Sequence, residues 1–361
     1  MPAGRSYRTM VRKVGTSRIV REIGRGGMGV VYEAFQEGLD RPVAVKALDQ
    51  KLTRSKELLE RFRREGRVYA QLRHEAIVAV HDLVEKDEQL FLVTDLVDGA
   101  DLAKLLQAGG AVPADCAAVI GARLADALDY VHFNKLLHRD VKPANVMVSR
   151  DGEVKLMDFG IAKGLDDPAL TRVGMLVGSP SYMAPEVLGG EEGGPPSDVW
   201  ALGVMLYELV TGEKPFRGSS ADELFGLIRR ARFRRIRSLA PGCPRRVAWA
   251  IERCLARRPE KRWKAAGELA RALDAAATRL LRKIHPRARL VALLAHRGFA
   301  TEELALSRID LMTLATTRTA DERGSATRVE FPVRRRPRRL GIAALLALAA
   351  GIAAWFAPAP W

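Results

Sequence analysis

The chain has 361 residues, 48% hydrophobic and 28% charged, which excludes a disordered or fibrous protein and allows one large domain or two ordinary ones with appendages. Its 59 Lys and Arg against 43 Asp and Glu give a formal net charge of +16, suited to nucleic acid, acidic partners or an anionic membrane surface, or simply to a solvated face, without choosing among them. Three cysteines, Cys116, Cys243 and Cys254, show no CxxC pair and no metal spacing, which excludes a disulfide framework, and no apolar stretch follows the N-terminal charges as a secretory signal would require.

In chain order, residues 1–15 read as a loose basic lead-in. From 16 to about 110 the pattern is mostly strand-like, with short β-branched or aromatic runs at 29–35, 43–46 and 90–93. One helix interrupts it at roughly 55–73, where Leu58, Phe62, Tyr69 and Leu72 form an apolar stripe. From 113 to about 280 the reading turns helical, broken by short strands and loops between 136 and 196. A β-rich half followed by a helical half predicts an α+β, bilobal fold over 16–278, with a ligand cleft between the lobes.

Residues 279–339 read as a basic, partly helical linker holding one apolar run at 290–294. Arg334, Arg335, Arg336, Arg338 and Arg339 then precede 340–357, eighteen residues without a charge. As a helix this span reaches ~27 Å, close to the ~30 Å hydrocarbon core of a bilayer. The arginines predict a single-pass C-terminal transmembrane helix in the cytoplasmic membrane, with the domain facing the cytoplasm and 358–361 as a short outer tail. An apolar helix docked on the protein itself is the competing reading.

The residues Gly24, Gly26 and Gly29 form G-x-G-x-x-G, a spacing shared with dinucleotide-binding loops. Here a strand follows the glycines where a dinucleotide fold needs a helix, so the loop reads as a hairpin turn that lets backbone N–H groups approach phosphates. Lys46 closes the apolar run Val43-Ala44-Val45 and needs an anion in the cleft. Glu65 falls on the core-facing stripe of the helix, where a carboxylate is costly unless paired, so the two are expected to meet.

The densest chemistry lies in His138-Arg139-Asp140-Val141-Lys142-Pro143-Ala144-Asn145, followed by Asp158-Phe159-Gly160. Phosphoryl transfer needs a carboxylate to orient the acceptor hydroxyl, a cation on the transferred group and hard oxygen ligands for metal. Asp140 fits the first role and Lys142 the second. Asn145 and Asp158 fit the third, with Mg²⁺ as the ion.

With this ordered set the chain resembles the eukaryotic-like (Hanks-type) protein kinases, and among them the bacterial serine/threonine kinases. Ala184-Pro185-Glu186, the Asp198-x-Trp200-x-x-Gly203 element and Arg262, in the place of the arginine that pairs with Glu186, extend the match. The resemblance implies a protein kinase that uses ATP and Mg²⁺, with Lys46 and Glu65 as the ion pair of the active state. Ile23, Val31 and Ala44 join the glycines around the nucleotide, and the backbones of Asp95 and Val97 face the adenine edge. Thr94 would be a small gatekeeper residue.

Lys142 two places after Asp140 is the serine/threonine pattern, so protein substrates with Ser or Thr acceptors are expected. Ser179 stands where those kinases usually carry Thr. Arg139 beside Asp140 implies control by activation-loop phosphorylation, mainly at Thr171, with self-association for trans-autophosphorylation.

A further run, Arg229, Arg230, Arg232, Arg234, Arg235 and Arg237, suits acidic partners or anionic lipid, or is simply a solvated face. No nucleic-acid recognition fold accompanies it, so nucleic acid is not an expected partner. An ATP-binding scaffold without catalysis is the rival in another class, although such scaffolds lose residues like Lys46, Asp140 or Asp158. A small-molecule kinase of similar fold is a second rival.

Overall fold

A computed structural model describes residues 13–26, 29–48, 56–86, 89–160, 180–282 and 284–301, with positions 303 and 307. The chain divides into two units, Met1–Thr316 and Thr317–Trp361, and every described residue belongs to the first.

The N-terminal lobe is a six-stranded antiparallel sheet. Its strands are β1 (Lys13–Val14), β2 (Ser17–Gly26), β3 (Gly29–Gln36), β4 (Arg41–Leu48), β5 (Val80–Lys86) and β6 (Gln89–Asp95), in spatial order β1-β2-β3-β4-β6-β5. Alternation along β3 and β4 sends Ala34, Val43, Val45 and Ala47 into a small core with Val14, Phe91 and Val93. The lead-in read over 1–15 is therefore too long: Val14 is fully buried and pairs with Ser17. A two-residue strand carries too little sequence pattern to betray itself. Strand β5 was also missed, because His81, Asp82, Glu85 and Lys86 dilute its apolar positions.

Helix α1 (Lys56–Tyr69) crosses behind the sheet, rich in Leu, Glu and Arg, which all favour helix. Its Gly66 is buried, and a Cβ there would touch Leu83 on β5, so helix and sheet approach closely. The helix stops at Tyr69, four residues short of the predicted end, and Leu72 reaches the core from the loop beyond.

After a three-residue connection at 96–98, β7 (Gly99–Asp101) leads into α2 (Leu102–Gly109) and α3 (Ala114–Phe133). Strand β7 pairs with β8 (Val146–Ser149), which pairs with β9 (Val154–Leu156), making a small sheet under the cleft. The Leu156 backbone bonds to Ala76 and Val78, stitching this sheet to the segment below the upper lobe.

The C-terminal lobe continues through α4 (Pro185–Leu188), α5 (Pro195–Thr211), α6 (Ala221–Arg230), α7 (Ile236–Leu239), α8 (Arg245–Cys254), α9 (Ala266–Leu281) and α10 (Pro286–His296). Helix α5 is buried from Asp198 to Tyr207 on every face, as an axial core helix must be. Helix α9 packs along α3, its start held where the Gly267 N–H donates to Asp129 Oδ1 at 2.8 Å.

The domain edge read at 278 falls inside α9, and the apolar run at 290–294 is not linker but the buried face of α10. Arg289 on α10 is nearly buried and pairs with Asp115 of α3 at 2.6 Å. Arg287 reaches Glu153 at 3.0 Å, and Gly152 (φ 74°) lets the turn approach so closely that a Cβ would stand 2.3 Å from the Arg287 carbonyl oxygen. Sequence pattern hid this helix because its arginines look solvated until their partners, more than 130 positions earlier, are folded against them. The predicted transmembrane helix at 340–357 lies outside the described residues; among the described residues no helix is long and apolar enough to cross a membrane.

Candidate active site

The cleft between the lobes is roofed by Ile23, Val31, Ala44 and Leu48 and floored by Met147 and Met157. Its inner end is closed by Tyr69, Leu92, Thr94 and Phe159, and its outer edge is formed by Asp95, Leu96 and Val97. A mostly apolar slot with few polar groups at one end suits a flat aromatic ring carrying a charged tail. Ile23, at 36% exposure, stands at the mouth.

Gly26 pairs with Gly29, so the glycine motif is a β-hairpin, and its two central positions lie outside the described residues. At Gly29, with φ 137°, a Cβ would come within 1.9 Å of the Ala47 carbonyl oxygen, so only glycine lets β3 close on β4 there. Gly24 lies on β2, paired with Val31.

Lys46 on β4 points into the cleft, its Nζ 2.7 Å from Asp158 Oδ1. Glu65, the carboxylate that the sequence paired with Lys46, is half-buried on α1 next to Gly66 and one turn from Tyr69. Asp158 adopts φ 58°, a conformation non-glycine residues rarely hold, which aims its carboxylate back at the cleft. Phe159 turns the other way, stacked on Tyr69 at 4.3 Å between ring centroids and packed on His138 at 4.7 Å. Tyr69 donates its hydroxyl to the Leu137 carbonyl at 3.2 Å, so helix α1, the segment after β9 and the loop before β8 share one aromatic column.

That loop carries Asp140, buried, with Oδ2 accepting from Lys142 Nζ at 2.7 Å and from Asn145 Nδ2 at 2.8 Å. Asn145 Nδ2 also donates to the Asp140 carbonyl at 2.8 Å, fixing the amide so that its oxygen is the remaining acceptor. The donor set near the cleft, a carboxylate on Asp158 and an amide oxygen on Asn145, is hard and fits Mg²⁺. Among the described residues no group of three or more His, Cys, Asp or Glu side chains would hold a metal unaided.

The loop owes its shape to polar residues buried beneath it. Asp198, buried at the start of α5, accepts from the His138 N–H, the Arg139 N–H and His132 Nε2, each at 2.9 Å. Burial pushes its carboxyl up, but His132 and His138 together outweigh burial and hold it below the usual range. These bonds sustain Arg139 at φ 62°. Burial also holds His138 below the ordinary imidazole value. Its Nδ1 accepts from the Asp140 N–H and its Nε2 donates to the Met157 carbonyl, as the neutral ring requires. An Asp directly before the apolar run at 199–207 was the available signal.

Glu186 meets Arg262 through two bonds of 2.7 Å, with Ser197 Oγ donating to the same carboxylate. The Arg262 side chain is fully buried and stacks on Trp200. Burial raises the Glu186 carboxyl, yet the Arg262 hydrogen bonds prevail and leave it below its ordinary value. Thr94 donates to the Asp95 carbonyl at 3.2 Å, and the Asp95 carboxylate is held by His81 and the Ala79 N–H. Thr171 and Ser179 lie outside the described residues.

Residues 17–272 match the protein kinase domain family. The chain is 37% identical over 279 residues to serine/threonine-protein kinase PknA of Mycobacterium tuberculosis, covering 75% of this chain and 63% of that protein. It is 37% identical over 256 residues to PknH of the same organism, covering 71% and 41%, and 40% identical over 278 residues to PkaA of Streptomyces coelicolor, covering 73% and 50%. The chain thus spans between about two fifths and two thirds of the length of these curated relatives. Among solved structures, the kinase domain of Mycobacterium tuberculosis PknI is similar with a TM-score of 0.60 at 30% identity, over 73% of this chain and 97% of that one. Rad53 1–466 in complex with AMP-PNP is similar with a TM-score of 0.60 at 28% identity, over 73% and 65%. The family match spans both lobes and most of the chain, and the chain belongs to the protein kinase domain family.

Proposed function

We propose that the chain is a serine/threonine protein kinase that transfers the γ-phosphate of ATP to Ser and Thr hydroxyls of proteins. The observation that carries this reading is that Lys46 meets Asp158 in the cleft, while backbone bonds from Met157 to Asn145 and from Gly160 to His138 hold the Asp158 segment against the loop on which Asp140, Lys142 and Asn145 are joined. ATP brings the transferable phosphoryl group, and Mg²⁺, held by Asp158 and Asn145, neutralises phosphate charge when bound.

In this reading Asp140 orients the acceptor hydroxyl and takes its proton, a role worth about 10²–10⁴ in rate. Lys142, already against Asp140, meets the charge growing on the transferred group. Lys46 exchanges part of its contact with Asp158 for nucleotide phosphate. Ile23, Val31 and Ala44 would sandwich the base, with the Asp95 and Val97 backbones along its edge. A phosphate on Thr171, added by a second copy of the chain, would pair with Arg139.

Attachment to a membrane through 340–357, with 334–339 on the cytoplasmic face, rests on the uncharged span and its five-arginine flank. Mass spectrometry of the full chain after incubation with ATP and Mg²⁺ tests the main reading. Phosphate confined to Ser and Thr, including Thr171, is expected; phosphotyrosine alone, or no phosphate on a chain that binds ATP, would overturn it.

A further inference from the structure

The basic excess of this chain is not spread over its surface. Residues 229–258 contain eleven arginines and one carboxylate, Glu252, and 334–339 contain five arginines and none. Outside these two segments the chain has 43 Lys and Arg against 42 Asp and Glu, which is almost neutral.

The fold gathers the first segment on α6, α7, α8 and the turns between them. Glu252 is already engaged, accepting from Arg235 at 2.7 Å and from the Ile236 N–H at 2.9 Å. Arg229, Arg230, Arg232, Arg234, Arg237, Arg245 and Arg246 are exposed, and among the described residues none of them has an ion pair.

Helix α8 buries Val247, Ile251 and Cys254 on one side and turns Arg245, Arg246 and Trp249 outward on the other. Trp249 is 55% exposed, an unusual placement for the largest apolar side chain. It is braced rather than loose. Trp263 meets it edge-on at 5.3 Å, and the Arg253 guanidinium lies over both rings, 5.5 Å and 4.2 Å from their centroids. A helix with an arginine-lined outer face and a tryptophan at its centre has the composition of a surface that settles at the headgroup level of a bilayer.

We infer that the α6–α8 face of the helical lobe binds an anionic lipid surface, with the arginines on the headgroups and Trp249 at the interface. The choice of lipid over an acidic protein rests on the membrane attachment proposed above. An anchored lobe meets an anionic leaflet at high effective concentration, and the five-arginine run at 334–339 flanks the span itself. Each arginine brought to such a surface strengthens binding by on the order of fivefold.

Hydrogen exchange of the full chain reconstituted in vesicles tests this and keeps the two readings apart. Peptides from 229–258 are expected to exchange at least about threefold more slowly in phosphatidylcholine vesicles containing phosphatidylglycerol than in phosphatidylcholine alone. The difference should vanish in high salt and in Arg245→Gln/Arg246→Gln/Trp249→Ala. An Arg245→Gln/Arg246→Gln variant, with the aromatic pair intact, guards against misfolding and should lose part of the protection.

Protection of 340–357 in both vesicle types reports the anchor separately. Unchanged exchange at 229–258 beside a protected span would overturn the inference and leave the anchor standing. Protection by soluble polyglutamate but not by anionic vesicles would overturn it in favour of an acidic protein partner.

Discussion

The two walls of the cleft are built on different principles. The upper wall is a sheet with its own small core of Val14, Ala34, Val43, Val45, Ala47, Phe91 and Val93, separate from the main one. The lower wall is a set of loops, yet it is the more firmly fixed. Its turn at His138 and Arg139 hangs from Asp198, and its aromatic column and small sheet are continuous with a helical core running from Leu48 to Leu294. The lesson is that the groups that must be placed to a fraction of an ångström are tied by buried polar bonds to the rigid lobe. The groups proposed to grip the nucleotide ride on the lighter one. Substitutions below should therefore separate rate from binding, and substitutions above should mix them.

The sharpest division is expected at Asp140→Asn, which removes the proton acceptor but keeps the shape. It should lower kcat by about 10²–10⁴ while leaving nucleotide affinity and melting temperature near those of the parent. A matching loss of ATP affinity would erase the distinction between the walls.

Glu186→Gln tests the anchoring principle itself. Removing one partner of a buried pair should cost about 3 kcal/mol in denaturant unfolding. The pH dependence has a definite sign: the Glu186 carboxyl is depressed in the fold, so its contribution is present above its ordinary value of 4.5 and fades as pH falls below it. The variant should therefore show a flatter acid limb than the parent between about pH 5 and 2.

At Lys46→Met the upper wall loses its cation. A charged hydrogen bond of about 1.5–3 kcal/mol corresponds to a ten- to hundredfold fall in kcat/KM, with KM for ATP raised, unlike Asp140→Asn. Arg289→Met probes how far the lower wall extends, since α10 lies beyond the family match at 272. A loss of about 1–2 kcal/mol with little change in KM is expected, because Asp115 keeps the favourable field at the start of α3. The smallest effect on ATP use belongs to Thr94→Met. It should leave KM nearly unchanged while weakening, by tenfold or more, inhibitors that reach past Thr94 toward Leu92 and Phe159, read by competition binding.

Part of the proposed site's geometry was legible because it is local. Lys142, Asn145 and Asp140 lie within six residues, and their spacing alone brings them together. Gly29 and Lys46 could be placed because a glycine hairpin and an apolar strand leave few alternatives. What stayed hidden depends on distant partners. His132, Asp198 and the turn at Arg139 are joined only once α3 and α5 pack side by side. Strand β5 was obscured by polar residues such as His81, which the fold uses to hold Asp95. Helix α10 looked like linker because Arg287 and Arg289 find Glu153 and Asp115 only in the folded lobe.

The most direct test of the account is transfer of labelled γ-phosphate by the full chain in Mg²⁺, with Asp140→Asn compared at equal nucleotide occupancy. The account predicts label on Ser and Thr that disappears with chelator and falls at least about a hundredfold in the variant. Equal labelling by the variant, or none by a parent chain saturated with ATP, would contradict it.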